Sequence, residues 1–320
     1  MEATGVIAYV ALLLTLAGIY GVLTLGLNLQ WGFTGLFNIG IAAFFAVGAY
    51  TSGILTTPPS PDHLGGFDLP VPIGMAGAMA ISGALGLGVG AITIRLRTDY
   101  LAIATLGIAE IVRLVLKNEE WLTGGVRGLA SIPRPFESLG GGWSGLAFLA
   151  IVLAAMAIVY LFLERAIRSP WGRLLHALRD NELSTRAAGK NIDRLRRQSF
   201  MIGSAIMGLG GALYAHFFSF ISPEAFDPAF ASFLVWIMLV AGGSGNNRGA
   251  LLGAFAIWGL WAGTEFLVSA LPAEIITQAG AIRVLLIGLL LQVILILRPQ
   301  GLLPERQDST HQDPRHNTQP

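Results

Sequence analysis

Few residues in this chain could do chemistry. The sequence has no GxxxxGK[ST] phosphate cradle, no HExxH, no GxSxG, no clustered histidines and no cysteine. That sets aside P-loop ATP binding, hydrolysis, thiolate metal sites and disulfides, and implies no cofactor. What remains is charge inside apolar sequence, where an ionisable side chain is costly and usually functional. Glu110 and Arg113 stand three apart, on one face of a helix, with Lys117 a turn further. They read either as a polar stripe lining a pathway or as a helix-end ion pair facing neighbouring protein, and the ion pair is favoured. Glu265 and Arg283 are lone charges near the ends of apolar runs, suited to interfacial anchoring. A proton- or sodium-coupled transporter would place a carboxylate at mid-membrane, and no clear one is present.

Uncharged polar groups form a second candidate. The stretch "LNLQWGFTGLFNIGIAAFFAVGAYTSG" (Leu27 to Gly53) sets Asn28, Thr34 and Asn38 among Gly32, Gly35 and Gly40. Such a segment can unwind to line a polar pathway, or it can pack and hydrogen-bond against neighbouring helices. "AGGSGNNRGALLGA" (Ala241 to Ala254) has similar composition and reads as a tight Gly/Asn turn.

The third candidate is "SPWGRLLHALRDNELSTRAAGKNIDRLRRQ" (Ser169 to Gln198). Ser169 is placed to cap a helix whose first residue, Pro170, needs no N–H, and Leu174, Leu175 and Leu178 give it one apolar face. Asp180 or Asn181 caps a second short helix that runs through Ala187 and Ala188 to a stop at Gly189. Two capped amphipathic helices with interleaved acidic and basic residues favour a protein partner over a segment lying on anionic lipid.

These candidates sit in a membrane composition: 320 residues, mean hydropathy +0.66, and 12% charged residues against about 25% in soluble domains. Apolar runs at 6–29, 33–56, 70–94, 100–117, 145–163, 200–218, 230–245, 249–270 and 281–298 predict an all-α transmembrane bundle with nine crossings, within about 8–10. The 41 glycines lie mostly in these runs and imply close helix packing. The leader Met1 to Gly5 has no Lys or Arg, so the first run reads as a retained span rather than a signal peptide.

Nine of the 20 Lys and Arg residues lie between Arg165 and Arg197, which makes this loop (about 164–199) cytoplasmic by the positive-inside rule. Counting outward, Arg95 to Asp99, Asn246 to Arg248 and the C-terminus are cytoplasmic; the N-terminus and the loops at 57–69 and 118–144 lie outside. Arg113 and Lys117 then fall at the outer end of their span. Residues 1–303 form the membrane domain, and 304–320, including His311 and His316, read as a disordered cytoplasmic tail.

Four stretches, in the same order and with matching spacing, resemble a known family. They are "LRTDYLAIATLGIAEIVRLVLKNEEWLTGG" (Leu96 to Gly125), the Asn/Gly-rich second span, "GRLLHALRDNELSTRAAGKNIDRLR" (Gly172 to Arg197) and "LRPQGLLP" (Leu297 to Pro304). They resemble permease subunits of branched-chain amino-acid ABC importers, of the LivM type, over about residues 20–304. The resemblance implies a bacterial or archaeal cytoplasmic membrane and a pathway subunit that is not itself an enzyme. Its implied partners are a second permease (LivH-like, or a second copy), two cytoplasmic ATPases and an extracytoplasmic binding protein, with lipid around the bundle and no nucleic acid. It also implies that Glu182, Ala187, Ala188 and Gly189, with Arg173, Asp180 and Asn181 before them, form the helix that couples to the ATPase. The separated "E…AAG" departs from the compact "EAA" of other importers, so docking of the segment is better supported than docking by individual side chains. Asn28, Thr34, Asn38 and Glu110 are the candidates for lining the pathway. Branched-chain amino acids are the first substrate class, with urea and short amides as alternatives within it. A secondary transporter or channel for a small polar solute, or a non-transporting scaffold, remains the competing class.

Overall fold

A computed structural model describes residues 2–59, 66–93, 96, 98–269, 280, 285, 288–289, 292–293 and 296–305. The described residues form eleven α-helices: α1 (Glu2–Leu27), α2 (Ile41–Thr56), α3 (Val71–Thr93), α4 (Thr98–Asn118), α5 (Glu120–Thr123), α6 (Gly141–Arg168), α7 (Pro170–Asp180), α8 (Glu182–Ala187), α9 (Ile192–Phe218), α10 (Pro228–Gly242) and α11 (Asn247–Ser269). Among the described residues the only β pairing is one antiparallel bridge, Leu129 with Ile221. Most of the run at 281–298, with Arg283, and residues 306–320, with His311 and His316, lie outside the described residues. So do Arg95 and the side chain of Glu265.

Gly5–Gly32, Val71–Thr93, Trp143–Arg168 and Ile192–Phe218 are each long and apolar enough to cross a hydrocarbon layer. The other runs that the described residues cover are helical but depart from straight spans for identifiable reasons. α2 has 16 residues, about 24 Å, because the stretch before it is unwound. α4 carries Asp99, Glu110, Arg113 and Lys117. α10 and α11 meet at a 120° bend, as a broken or re-entrant pair.

α9 is the hub, packed on α1, α2 and α3, while α1 also packs on α6 and α11. Glycine makes these approaches possible. Gly48 of α2 meets the backbone of Gly208 in α9, and a Cβ on Gly26 of α1 would sit 2.8 Å from the carbonyl oxygen of Gly203 in α9. No side chain fits there, so the backbones themselves form the interface. The outer surface is apolar: Ile73 and Ile81 on α3, Ile103 and Ile111 on α4, and Ile158 and Leu161 on α6 are exposed, as lipid or a second membrane subunit requires.

The two ends of the bundle are each tied together. At one, Leu129 and Ile221 exchange backbone hydrogen bonds of 2.9 Å, joining the 118–144 loop to the α9–α10 connection. Beneath them His216 of α9 is buried between the Ser52 hydroxyl at 2.8 Å and the Pro133 carbonyl at 2.7 Å. At the other end, Leu302 and Leu303 donate backbone N–H groups to Ala241 and Gly242, both at 2.9 Å. The Asn246 amide donates to Pro304 at 3.1 Å. Pro304 and Glu305 are thus held against the bundle.

Candidate functional site

The polar segment after α6 folds as the capping residues dictate, with one correction. Ser169 occupies the cap position of α7 and Pro170 its first residue. The Ser169 hydroxyl, however, donates back to Ala166 at 2.6 Å and leaves α7 without a side-chain cap. Its job is to finish α6. The chain turns so tightly here that a Cβ on Gly172 would strike Ile167. The inward face of α7 is Gly172, Leu175 and Leu178, and Leu174 is half-buried. Of the two cap candidates for α8, Asn181 is used: its side-chain oxygen accepts from Ser184 N at 2.9 Å. Gly189 takes φ +73°, the left-handed stop that glycine adopts without a Cβ penalty, and Asn191 caps α9 by accepting from Arg194 N at 2.9 Å.

Six of the seven residues singled out for coupling are exposed: Arg173, Asp180, Asn181, Ala187, Ala188 and Gly189. Glu182 is used differently. Its carboxylate accepts from Arg186 at 3.1 Å and from Arg196 of α9 at 2.7 Å, which anchors α8 to the bundle. Pro170, Arg173, Ala177 and Asp180 share the outer face of α7, and the stripe continues at Leu183, whose exposure of 77% makes it an apolar tip in a polar segment. Sequence reasoning did not single out Leu183. The available signal was a lone leucine between two cap residues and a glycine stop.

Asn28, Thr34 and Asn38 come together at the α1–α2 break, where all three are buried. α1 widens into a π-turn at Asn28–Gly32, and the chain stays unwound to Gly40. The polar side chains of the break pair within the chain. Asn28 donates to Asn247 at 3.0 Å and accepts from Gly245 N at 2.9 Å. Asn38 donates to Gln30 at 2.8 Å and accepts from Gly40 N at 2.8 Å. Gln30 donates in turn to the Phe200 carbonyl at 2.9 Å, and Thr34 pairs with Ser199 at 2.7 Å. The Trp236 indole donates to the Asn38 carbonyl at 2.9 Å. The break is thus a satisfied polar knot between α1, α9, α10 and the 243–247 turn.

Glu110 stands apart, on α4. It forms a two-point ion pair with Arg113, at 2.6 and 2.9 Å, and Arg113 and Lys117 both reach Glu224 of the α9–α10 connection, at 3.3 and 2.9 Å. This is the ion-pair reading, and it explains why two cations stand at that end of α4.

A cluster that sequence reasoning missed joins the break to α7. Arg179 donates to the Gly32 carbonyl, to both oxygens of Glu305 at 3.0 and 2.9 Å, and to Asp180 at 3.3 Å. His176 contacts Glu305 at 3.4 Å and sets its ring edge-on to Phe33. Burial pushes the Glu305 carboxyl up, but hydrogen bonds from His176 and Arg179 outweigh it and hold it below the usual range. Its partners lie 147 and 126 residues from Arg179, so no local spacing could reveal it. Among the described residues no group of His, Cys, Asp or Glu could hold a metal ion.

Comparison with known proteins supplies the family. The family model described as branched-chain amino acid transport system / permease component matches residues 9–295. The high-affinity branched-chain amino acid transport system permease protein LivM of Escherichia coli (strain K12) is 34% identical over 313 residues, covering 91% of this chain and 69% of that protein. The probable LivM of Methanocaldococcus jannaschii is 31% identical and covers 93% of this chain and 94% of its own. The LivH permease of Salmonella typhimurium is 25% identical across 90% of this chain and 92% of that one. No solved structure matches. A polytopic helix bundle matched along almost its whole length by transport permeases, the chain belongs to the branched-chain amino acid permease family and is a membrane-spanning subunit of an ABC importer.

Proposed function

We propose that this chain forms, with a second permease subunit, the pathway by which an ATP-driven importer of a bacterial or archaeal cytoplasmic membrane admits branched-chain amino acids or a similarly small solute. Two separate ATPase subunits drive it, and an extracytoplasmic binding protein delivers the solute. The relatives named for branched-chain amino acid transport support the substrate class. The observation that carries the coupling role is the outer stripe of α7 and α8. Arg173, Asp180, Asn181, Leu183, Ala187 and Ala188 stand exposed on an element fixed from within by Leu175, Leu178 and Glu182. Small alanines admit close approach, Leu183 supplies an apolar anchor, and the charges set register.

In this reading α8 faces the cytoplasm, as does the C-terminus, and the N-terminus lies outside. The α1–α2 break is the moving part of the pathway. Asn28, Thr34 and Asn38 have partners within the chain, so a solute meets their polar groups when the knot rearranges. The Glu110 carboxylate is held by Arg113, which fits an ATP-driven rather than a proton-coupled mechanism. The test is uptake of labelled leucine by cells with the complete system against cells lacking this chain. Loss of saturable uptake, competed by isoleucine and valine, supports the assignment. Unchanged uptake of all three, with a urea or amide signal instead, moves the substrate class.

A further inference from the structure

We propose that Arg179 is the positioning residue that carries movement of the α7–α8 segment into the α1–α2 break, and that Glu305 holds its guanidinium against the Gly32 carbonyl. The inference rests on the coupling role proposed for α7 and α8. Arg179 is the last arginine of α7, one residue before the exposed Asp180, yet its side chain turns inward. It enters a cradle made by three glycines from two separate segments. A Cβ on Gly35 would meet Arg179 Cγ at 3.3 Å, a Cβ on Gly245 would meet an Arg179 nitrogen at 3.2 Å, and Gly32 gives the carbonyl it holds. Gly35 and Gly245 have φ of +76° and +81°, so both positions favour glycine for the backbone as well as for space.

The geometry makes Arg179 a junction of four parts. Its planar fork presents several donors in fixed directions. One goes to the backbone of the break and two go to Glu305, so a shift of α7 changes both together. Glu305 is fixed in turn, since Leu302 and Leu303 pair with the end of α10 at Ala241 and Gly242 and His176 braces the carboxylate from one turn back on α7. Gly245 N and Gly32 both contact the Asn28 side chain. Displacement of Arg179 therefore reaches the first member of the polar knot through one intervening residue. The Glu182–Arg196 pair and the Trp171 indole, which donates to Gln198 at 3.2 Å, lead from α7–α8 to α9 rather than to the break, while His176 adds an edge-on ring contact with Phe33 beside the Arg179 junction.

The experiment uses the complete importer reconstituted in vesicles, with solute moved per ATP hydrolysed as its primary readout. The chain has no cysteine, so a single Phe37→Cys carrying an environment-sensitive probe reports on the break as nucleotide is added. Arg179→Gln should keep its ATPase partners and its hydrolysis, lower the solute-to-ATP ratio about tenfold, and abolish the nucleotide-dependent probe signal. Arg179→Lys, which keeps the charge but not the fork, should fall between. A wild-type ratio and signal in an assembled Arg179→Gln complex overturns the proposal. Should that variant fail to assemble, Glu305→Gln decides in the same way: a lowered ratio supports the role, and a wild-type ratio removes it. If the wild-type chain retains no ATPase, the coupling reading fails instead, a result visible before any variant is made.

Discussion

Asn28 uses its amide twice, donating to Asn247 and accepting from Gly245 N. Alanine there would leave a buried backbone N–H and a buried side-chain oxygen without partners, at a cost of about 1–3 kcal/mol. Thermal unfolding of the detergent-solubilised protein should show a clearly lowered midpoint for Asn28→Ala. Glu224→Gln weakens two exposed ion pairs instead, and its midpoint should move by less than about 1 kcal/mol equivalent. Glu305 gives a pH signature. Its carboxyl is held below its usual range in the folded protein, so its contribution is present above the unfolded carboxyl value and is lost as pH falls through the lower, folded one. At neutral pH the clamp is fully charged. On acidification wild type should lose stability relative to Glu305→Gln, and the gap should close only below the ordinary carboxylate range.

Among elements, the capped pair α7 and α8 was readable because its signals are local. Pro170, Asn181 and Gly189 each act within four residues of where they stand, which is the range over which helix ends are decided. The Ser169 hydroxyl was misjudged because it had a second acceptor in the preceding helix, at Ala166. The unwound stretch before α2 was legible as polar and glycine-rich. Its use as a knot was not, since Asn28 meets Asn247 and Thr34 meets Ser199 only after the bundle forms. The same holds for Arg179. Removing the α8 cap with Asn181→Ala should cost about 1 kcal/mol. Because α8 is short and mostly exposed, the loss should appear as faster amide exchange at Ser184 and Thr185 rather than as global unfolding.

For the whole molecule, charge distribution and apolar periodicity sufficed for a helical membrane bundle, and glycine content for its close packing at Gly48 with Gly208. They could not show that the chain from Leu302 to Glu305 returns to the α10–α11 turn and to α7. Composition makes Pro304 and Glu305 look like the start of a tail. Orientation is open to a direct check, because the cysteine-free chain accepts single cysteines at exposed Leu183 and Glu137. An impermeant maleimide should label Leu183→Cys from the cytoplasmic side only and Glu137→Cys from the outer side only.

The central claim is that the outer stripe of α7 and α8 receives the ATPase, and co-purification tests it most directly. The tagged wild-type chain should retain the ATPase subunits. Ala188→Glu, which adds a charge at an exposed position, should lower that retention about tenfold or more while leaving the thermal midpoint unchanged. Equal retention by wild type and Ala188→Glu, or no ATPase with either, would contradict it.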